Sequence, residues 1–235
     1  MIIATIVSVI AIILIIVLLV GFFSKKSTNL GGMNPANKGR TIAPASLPGS
    51  AHTNNYTYSV WFYIDDWNYR YGEPKIVLGR LDKDKMPSPA ITLGAIQNNV
   101  TITLACYPKE GTKDAKPVIH SCALNNVPLQ KWANLLISLN GRTLDVYLDG
   151  KLVRTCVLPG VAKINTDAPI YITPEGGFSG WTSNIEYLSQ STNPSEAWNI
   201  YRAGYGGNTM SNLVNKYRIK FSLMEDNMEK GSFEI

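Results

Sequence analysis

Four groups of residues carry side chains that could do chemistry. Asp82-Lys83-Asp84 holds the one pair of acids spaced by two. On a strand that spacing puts both carboxylates on one face, as retaining glycoside hydrolysis requires. Lys83, Lys85, Met86 and Pro87 surround the pair, and no third acid stands nearby. It therefore reads as a solvated loop, no catalytic residue is assigned, and the chain is expected not to be an enzyme. Cys106, His120, Cys122 and Cys156 form a nominal Cys₃His set. No pair has the Cys-x-x-Cys spacing of structural zinc sites, so these read as core thiols and a satisfied histidine, with no metal and no cofactor. Reduced thiols are the default, with a bridge between Cys106 and Cys122 across neighbouring strands as the special alternative. The aspartates form no dense oxygen-ligand loop for calcium.

The third group runs from Asp65 to Glu73, three aromatics and an arginine among acids. The fourth is the aromatic, glycine-rich stretch 201–207. Aromatic and arginine side chains anchor protein interfaces, and aromatics also stack on sugars. Asp66, Trp67, Tyr69, Arg70, Tyr71 and Tyr205 are the candidate partner-binding residues. The alternative is that Trp67 and Tyr69 fold back and cap the end of the domain. No glycine-rich phosphate loop, Ser/His/Asp arrangement or aromatic RNA-binding signature is present. Four of the 22 bases, and no acid, fall in the first 55 residues. The rest is close to neutral at 18 bases against 17 acids, which argues against a nucleic-acid partner.

The elements that must position these groups are almost all strands. From residue 56 the pattern alternates with period two: Tyr58, Val60, Phe62 and Ile64 on one face, Ser59, Trp61 and Tyr63 on the other. Further strands read at 75–79, 90–96, 100–107, 118–124, 169–173 and 180–188. The stretch 132–158 reads as a three-stranded meander. Asn140-Gly141 and Asp149-Gly150 are the dipeptides of two-residue hairpin turns, where both central residues need positive φ. Asn193-Pro194-Ser195-Glu196 starts one short helix, with a cap, a proline at the first helical position and an acid at the third. Many short strands and little helix imply an all-β, two-sheet antiparallel jelly-roll sandwich over 56–207. Residues 208–235 read as a C-terminal strand and tail packing on the sandwich or on a partner.

Residues 1–23 stand apart. From Ile2 to Val20 there is no charge, and Phe22 and Phe23 continue the apolar run. A helix of that length matches a bilayer core, so one transmembrane α-helix anchor precedes the sandwich. A cleaved signal peptide would need a basic start and small residues where Phe22-Phe23 stands. Lys25 and Lys26 follow directly, and the positive-inside tendency puts the C-terminal domain on the cytoplasmic side of a single-pass protein. Residues 24–55, rich in Ser, Gly, Asn and Pro, read as a flexible basic linker.

Several of these segments resemble a known family. Tyr58-Ser59-Val60-Trp61-Phe62-Tyr63-Ile64 resembles the first core strand of the concanavalin A-like, laminin-G-like jelly rolls. Lys131-Trp132 with Leu144-Asp145-Val146-Tyr147-Leu148-Asp149-Gly150 is similar to that family's central signature. Phe178-Ser179-Gly180-Trp181 resembles its returning strand, where a glycine lets a bulky neighbour pack, and Pro194-Ser195-Glu196-Ala197 resembles its closing helical turn. The histidine that commonly follows the tryptophan is Ala133 here. An anchor, a small-residue linker and one such domain resemble the membrane-anchored minor capsid proteins of large double-stranded DNA viruses with an internal membrane. That resemblance implies a virion protein tying the lipid bilayer to other capsid proteins. A membrane-anchored, lectin-like glycan-binding module is the alternative, and is less favoured because no Asp/Asn/aromatic cluster with calcium ligands is evident.

Overall fold

The computed structural model describes residues 27–47, 55–107, 116–206, 220–225 and 228–234. The anchor and the Lys25-Lys26 pair lie outside the described residues. Among the described residues no helix is long and apolar enough to cross a membrane.

Two antiparallel sheets form a sandwich. The first contains β1 (Thr28–Gly31), β2 (Asn34–Pro35), β4 (Tyr56–Asp66), β9 (Trp132–Asn140), β10 (Thr143–Leu148), β11 (Lys151–Val157) and β13 (Ser179–Leu188). Its order is β1-β13-β4-β9-β10-β11, with β2 also on β13. The second contains β3 (Arg40–Ile42), β5 (Lys75–Leu81), β6 (Pro87–Leu93), β7 (Val100–Cys106), β8 (Val118–Leu124) and β12 (Ile170–Ile172), in the order β3-β12-β5-β6-β7-β8. β14 (Lys220–Glu225) and β15 (Met228–Glu234) pair only with each other, as a separate ribbon.

β4 follows the alternation read from its residues. Tyr56, Tyr58, Val60, Phe62 and Ile64 enter the core between the sheets, with Ala133, Leu135, Ile137 and Leu139 of β9 beside them. Full burial of each large apolar side chain stabilises the fold by about 1.5–3 kcal/mol. The outward residues of the same strands seat a cover. Leu136 and Tyr147 pack against Ala197 and Ile200 of α1 (Pro194–Ala203). The helix starts on a capping box: Asn193 Oδ1 accepts from Glu196 N–H at 2.9 Å, and Glu196 Oε2 accepts from Asn193 N–H at 3.1 Å. Gly180 (φ +143°) lets β13 close onto β4, since a Cβ there would lie 1.9 Å from the Tyr63 carbonyl oxygen.

Of the two expected hairpin turns, Asp149-Gly150 forms as read, with φ of 50° and 73°. The other is centred one residue later. Asn140 pairs with Thr143, leaving Gly141 and Arg142 as the turn, with Gly141 at φ 58°.

The expected linker 24–55 is corrected. β1 and β2 pair with β13, and β3 pairs with β12, so the sandwich begins by Thr28. Leu30, Ala36 and Leu47 are core residues. Strands of two to four residues with few apolar side chains leave little periodicity to read; backbone pairing supplies their order instead. Arg40, counted as linker charge, turns inward against Gly31. A Cβ on Gly31 would stand 2.6 Å from Arg40 Nη1, and burial lowers the arginine's pKa.

The bridge suggested between Cys106 and Cys122 is also corrected. In the β7–β8 ladder Cys106 faces Val118 and Cys122 faces Ile102. The two thiols are therefore four residues apart along the strands, about 13 Å, beyond any disulfide. Cys122 bonds Cys156 instead, with a Cα–Cα distance of 6.2 Å, and Cys106 is a free, buried thiol. The bond joins β8 to β11, the edge strands of the two sheets on one side of the sandwich. Arg154 adds a hydrogen bond from Nη1 to the Ala123 carbonyl at 2.6 Å.

A cross-link spanning 34 residues is expected to contribute roughly 3–4 kcal/mol through the unfolded chain. Urea unfolding of Cys122→Ser with Cys156→Ser should show that loss, and wild type under reductant should match the double variant. Cys106→Ala should cost only about 1–2 kcal/mol and remain sensitive to reductant.

Candidate functional site

The loop after β4 is tied into the fold through Trp67, Tyr69 and Arg70. Asp66 Oδ1 accepts from Asn68 N–H at 2.9 Å. Trp67 packs against the core and donates its indole N–H to the Ile96 carbonyl at 2.9 Å. Lys75 Nζ lies 5.2 Å from the Trp67 ring centroid. That amine is buried without a hydrogen bond, and desolvation, then repulsion from Arg70, lowers its pKa against the opposing pull of Glu73. Tyr69 Oη donates to the Gly176 carbonyl at 3.1 Å. Arg70 pairs with Glu73 at 2.7 Å and reaches the carbonyls of Glu175 and Gly177. Tyr71, 57% exposed, is the loop aromatic left open to solvent.

Tyr205 joins a different group. Its ring stacks on Trp132 at 4.6 Å with an interplanar angle of 6°, and meets the edge of Trp61 at 5.9 Å. Trp61 in turn stacks on Tyr201 at 5.5 Å, and Tyr201 touches Trp198. Tyr63 closes the other end against Trp132. These rings fasten α1 and its exit to the outer face of the first sheet. Ser183 Oγ and Asn184 Nδ2 donate to the Tyr205 and Gly204 carbonyls beside them.

At the same end as the Trp67 loop lies a hollow of about 590 Å³, which the sequence alone does not reveal. Trp67 lines it with Gln97, Asn98 and Asn99 from the β6–β7 loop and Asn125 and Asn126 from the β8–β9 loop; Ile96 and Leu129 complete the wall. β7 pairs with both β6 and β8, so these two loops emerge side by side. The signal was present as two amide runs, Gln97-Asn98-Asn99 and Asn125-Asn126, but only the topology joins them.

The open side of the sandwich is the third feature. β11 carries exposed Leu152, Val153 and Val157, the last at 67% exposure, and β8 carries exposed Val118 and Ile119. Among the described residues β11 has a strand partner on one side only.

Asp82 is not simply solvated. Its side chain is 6% exposed, and Oδ2 accepts from Lys163 Nζ at 2.8 Å. Oδ1 accepts from Met86 N–H at 2.8 Å and Asp84 N–H at 2.9 Å, which holds the β5–β6 turn. The Lys163 hydrogen bond holds the Asp82 carboxyl below the usual range and raises Lys163 in return. Asp84 stays exposed. Two of the three thiols are consumed by the disulfide, and among the described residues no three His, Cys, Asp or Glu side chains gather as metal ligands.

A family model described as the concanavalin A-like lectin/glucanases superfamily matches residues 37–209. No curated protein matches. Among solved structures, the botulinum neurotoxin serotype D binding domain aligns with a TM-score of 0.56 at 12% identity, over 83% of this chain and 46% of that one. The serotype D ligand-binding domain in complex with N-acetylneuraminic acid gives 0.56 at 13%, over 79% and 50%. The serotype DC binding domain in complex with rat synaptotagmin II gives 0.54 at 12%, over 79% and 50%. The chain thus spans about half the length of these domains, and at such identity the likeness is one of fold.

The Asp82–Lys163 pair sets a pH window. Asp82 is depressed, so its contribution is present above the unfolded carboxyl pKa near 4 and is lost as pH falls through the lower folded value. Lys163 is raised, so its contribution is present below about 10.4 and fades as pH rises through the folded value. Asp82→Asn should lower stability at neutral pH by about 1 kcal/mol and flatten the acid limb of the stability–pH curve, while Asp84→Asn should change neither. Thermal melts from acid to neutral pH check this.

Proposed function

The chain belongs to the concanavalin A-like lectin/glucanases superfamily, and from that premise we propose that it is a non-catalytic binding module, held at a membrane by residues 2–23, whose sandwich grips a partner protein along its open edge. The observation that carries this reading is β11. Among the described residues its outer hydrogen-bonding edge faces no further strand, and Leu152, Val153 and Val157 expose apolar surface around it. Natural edge strands are usually shielded by charged side chains, lysine above all, by prolines, by bulges or by a covering segment. β11 has no proline; of these shields it carries Lys151 at its start, one register shift against β10, and Arg154, which is turned onto the Ala123 carbonyl, while Leu152, Val153 and Val157 stay exposed beside them. An extended segment of a partner protein would add backbone hydrogen bonds there and bury those side chains.

The apolar run 2–23, followed by Lys25-Lys26, supports a single-pass anchor with the domain on the capsid-facing, cytoplasmic side. We assign the partner to a capsid protein of a virion with an internal membrane. The Cys122–Cys156 bond fits a protein that leaves the reducing cytosol, as an assembled particle does.

The test is Val153→Lys with Val157→Lys in the full chain. The double variant should keep its melting temperature to within about 2 °C and stay membrane-bound through an alkaline wash. Its copy number in purified virions should drop about tenfold, the effect of about 1.4 kcal/mol of lost contact. Normal incorporation would overturn the edge as the grip, and absence of the wild-type protein from virions would overturn the capsid assignment.

A further inference from the structure

We infer that the end of the sandwich where the chain enters lies on the headgroups of the bilayer, with an apolar corner at Tyr107, Val118 and Val161 as its second point of contact. This rests on the anchor reading above and adds which surface of the domain meets the lipid.

The tether between anchor and domain is short. β1 starts at Thr28, five residues beyond Phe23. Five residues span at most about 18 Å when fully extended. The headgroup layer takes up about 5–7 Å of that. What is left is close to one Debye length, about 8–10 Å, so charges at this end stand within reach of the lipid's. A linker running to residue 55 would have allowed roughly 100 Å and set no such limit.

Strand register says which end is held. Thr28 pairs with Tyr187, at the close of β13, and Tyr56 opens β4 beside Leu139, at the close of β9. The same end therefore gathers the β5–β6, β7–β8 and β9–β10 turns and the segment between β11 and β12. The Trp67 loop and the hollow lie at the opposite end, about 35 Å away along the eleven residues of β4.

The charge of this end fits anionic lipid. Among the described residues it exposes Lys83, Lys85, Lys116 and Arg142 against Asp84 and Asp167. Lys163 and Asp82 neutralise each other. Lys25 and Lys26 add two bases at the anchor itself. The opposite end reverses the balance, with Asp65, Asp66, Glu73 and Glu175 exposed against three exposed bases. Bases beside a cytoplasmic leaflet are attracted by its anionic lipids.

The apolar corner completes the contact. Tyr107, Val118 and Val161 are 47%, 53% and 44% exposed. They adjoin: Tyr107 N–H donates to the Val161 carbonyl at 2.8 Å, and Cys106 pairs with Val118. A tyrosine among valines suits the headgroup boundary, where the ring is half in apolar surroundings and the hydroxyl stays in water. The corner sits by β7 and β8, across the sandwich from β1 and β3. Five strand spacings, about 24 Å, separate the two sides. Two contacts that far apart fix the tilt of the domain. The strands then stand away from the bilayer, and β11 stays open along its length to a partner.

The experiment uses the full chain in vesicles of phosphatidylcholine and phosphatidylserine, with Cys106→Ala as background. A fluorophore is placed on Asp84→Cys, at the entry end, or on Tyr71→Cys, at the opposite end, and lipids with nitroxide headgroups serve as quencher. The label at position 84 should be quenched and the label at position 71 should not. Tyr107→Glu with Val161→Glu should halve the quenching at position 84. If that pair melts early, Lys83→Glu with Lys85→Glu, both exposed, serves as the second variant and should halve it too. Equal quenching at the two positions, quenching at neither in protein that withstands an alkaline wash, or quenching untouched by the variants would overturn the contact and leave the anchor standing. Release of the protein by that wash would overturn the anchor, and the contact with it.

Discussion

β4 is the strand on which both faces of the molecule depend. It lies between β13 and β9, and its side chains alternate without interruption from Tyr56 to Ile64. Five of them fill the space between the sheets; of the four between them, Thr57 and Trp61 hold the segment that follows β13, and Ser59 and Tyr63 meet Asn134 and Trp132 of β9. Thr57 Oγ1 meets the Gln190 carbonyl and Thr192 Oγ1, each at 2.8 Å, Ser59 Oγ accepts from Asn134 Nδ2 at 2.9 Å, and Trp61 carries Tyr201. A slip of one residue would exchange the two sets and put Thr57 and Ser59 in the core. The strand's end then sets where Trp67 enters, and with it the loop end of the sandwich.

The two sides of the sandwich are closed by different means. On one, a single segment runs from β1, on the first sheet, to β3, on the second, with Arg40 folded over Gly31 between them. On the other, β11 and β8 have no further strand among the described residues and are joined by one disulfide and the Arg154–Ala123 hydrogen bond. Cross-linking holds the sheets together without covering their edges. The apolar side chains of β11 and β8 therefore stay at the surface while the domain remains closed.

The parts of this fold written in local pattern were legible in the sequence. The alternation of β4, the meander from Trp132 to Val157, the turn at Asp149-Gly150 and the capped start of α1 all follow from residues close together in the chain. The misread parts depend on contacts between distant residues. β1 to β3 are too short to show a period and exist because β13 and β12 offer them partners. Cys122 finds Cys156 because two edges meet, which strand register decides and spacing does not. Asp82 looked like a loop acid until Lys163, 81 residues on, came beside it. Of the candidate partner residues, Trp67, Tyr69 and Arg70 were recognisable as unusual by composition, yet their hydrogen bonds run inward. The carboxamides beside them drew no notice because Asn and Gln in turns are ordinary.

Amide hydrogen exchange along β11 tests the central claim, that this edge is filled by a partner, most directly. It would be measured on the full chain purified in detergent and again in intact virions. The expected result is rapid exchange of the outward-facing β11 amides in the purified chain and strong protection in the particle, with the amides of β9, already paired on both sides, unchanged. Equal exchange of β11 in the two states would contradict it.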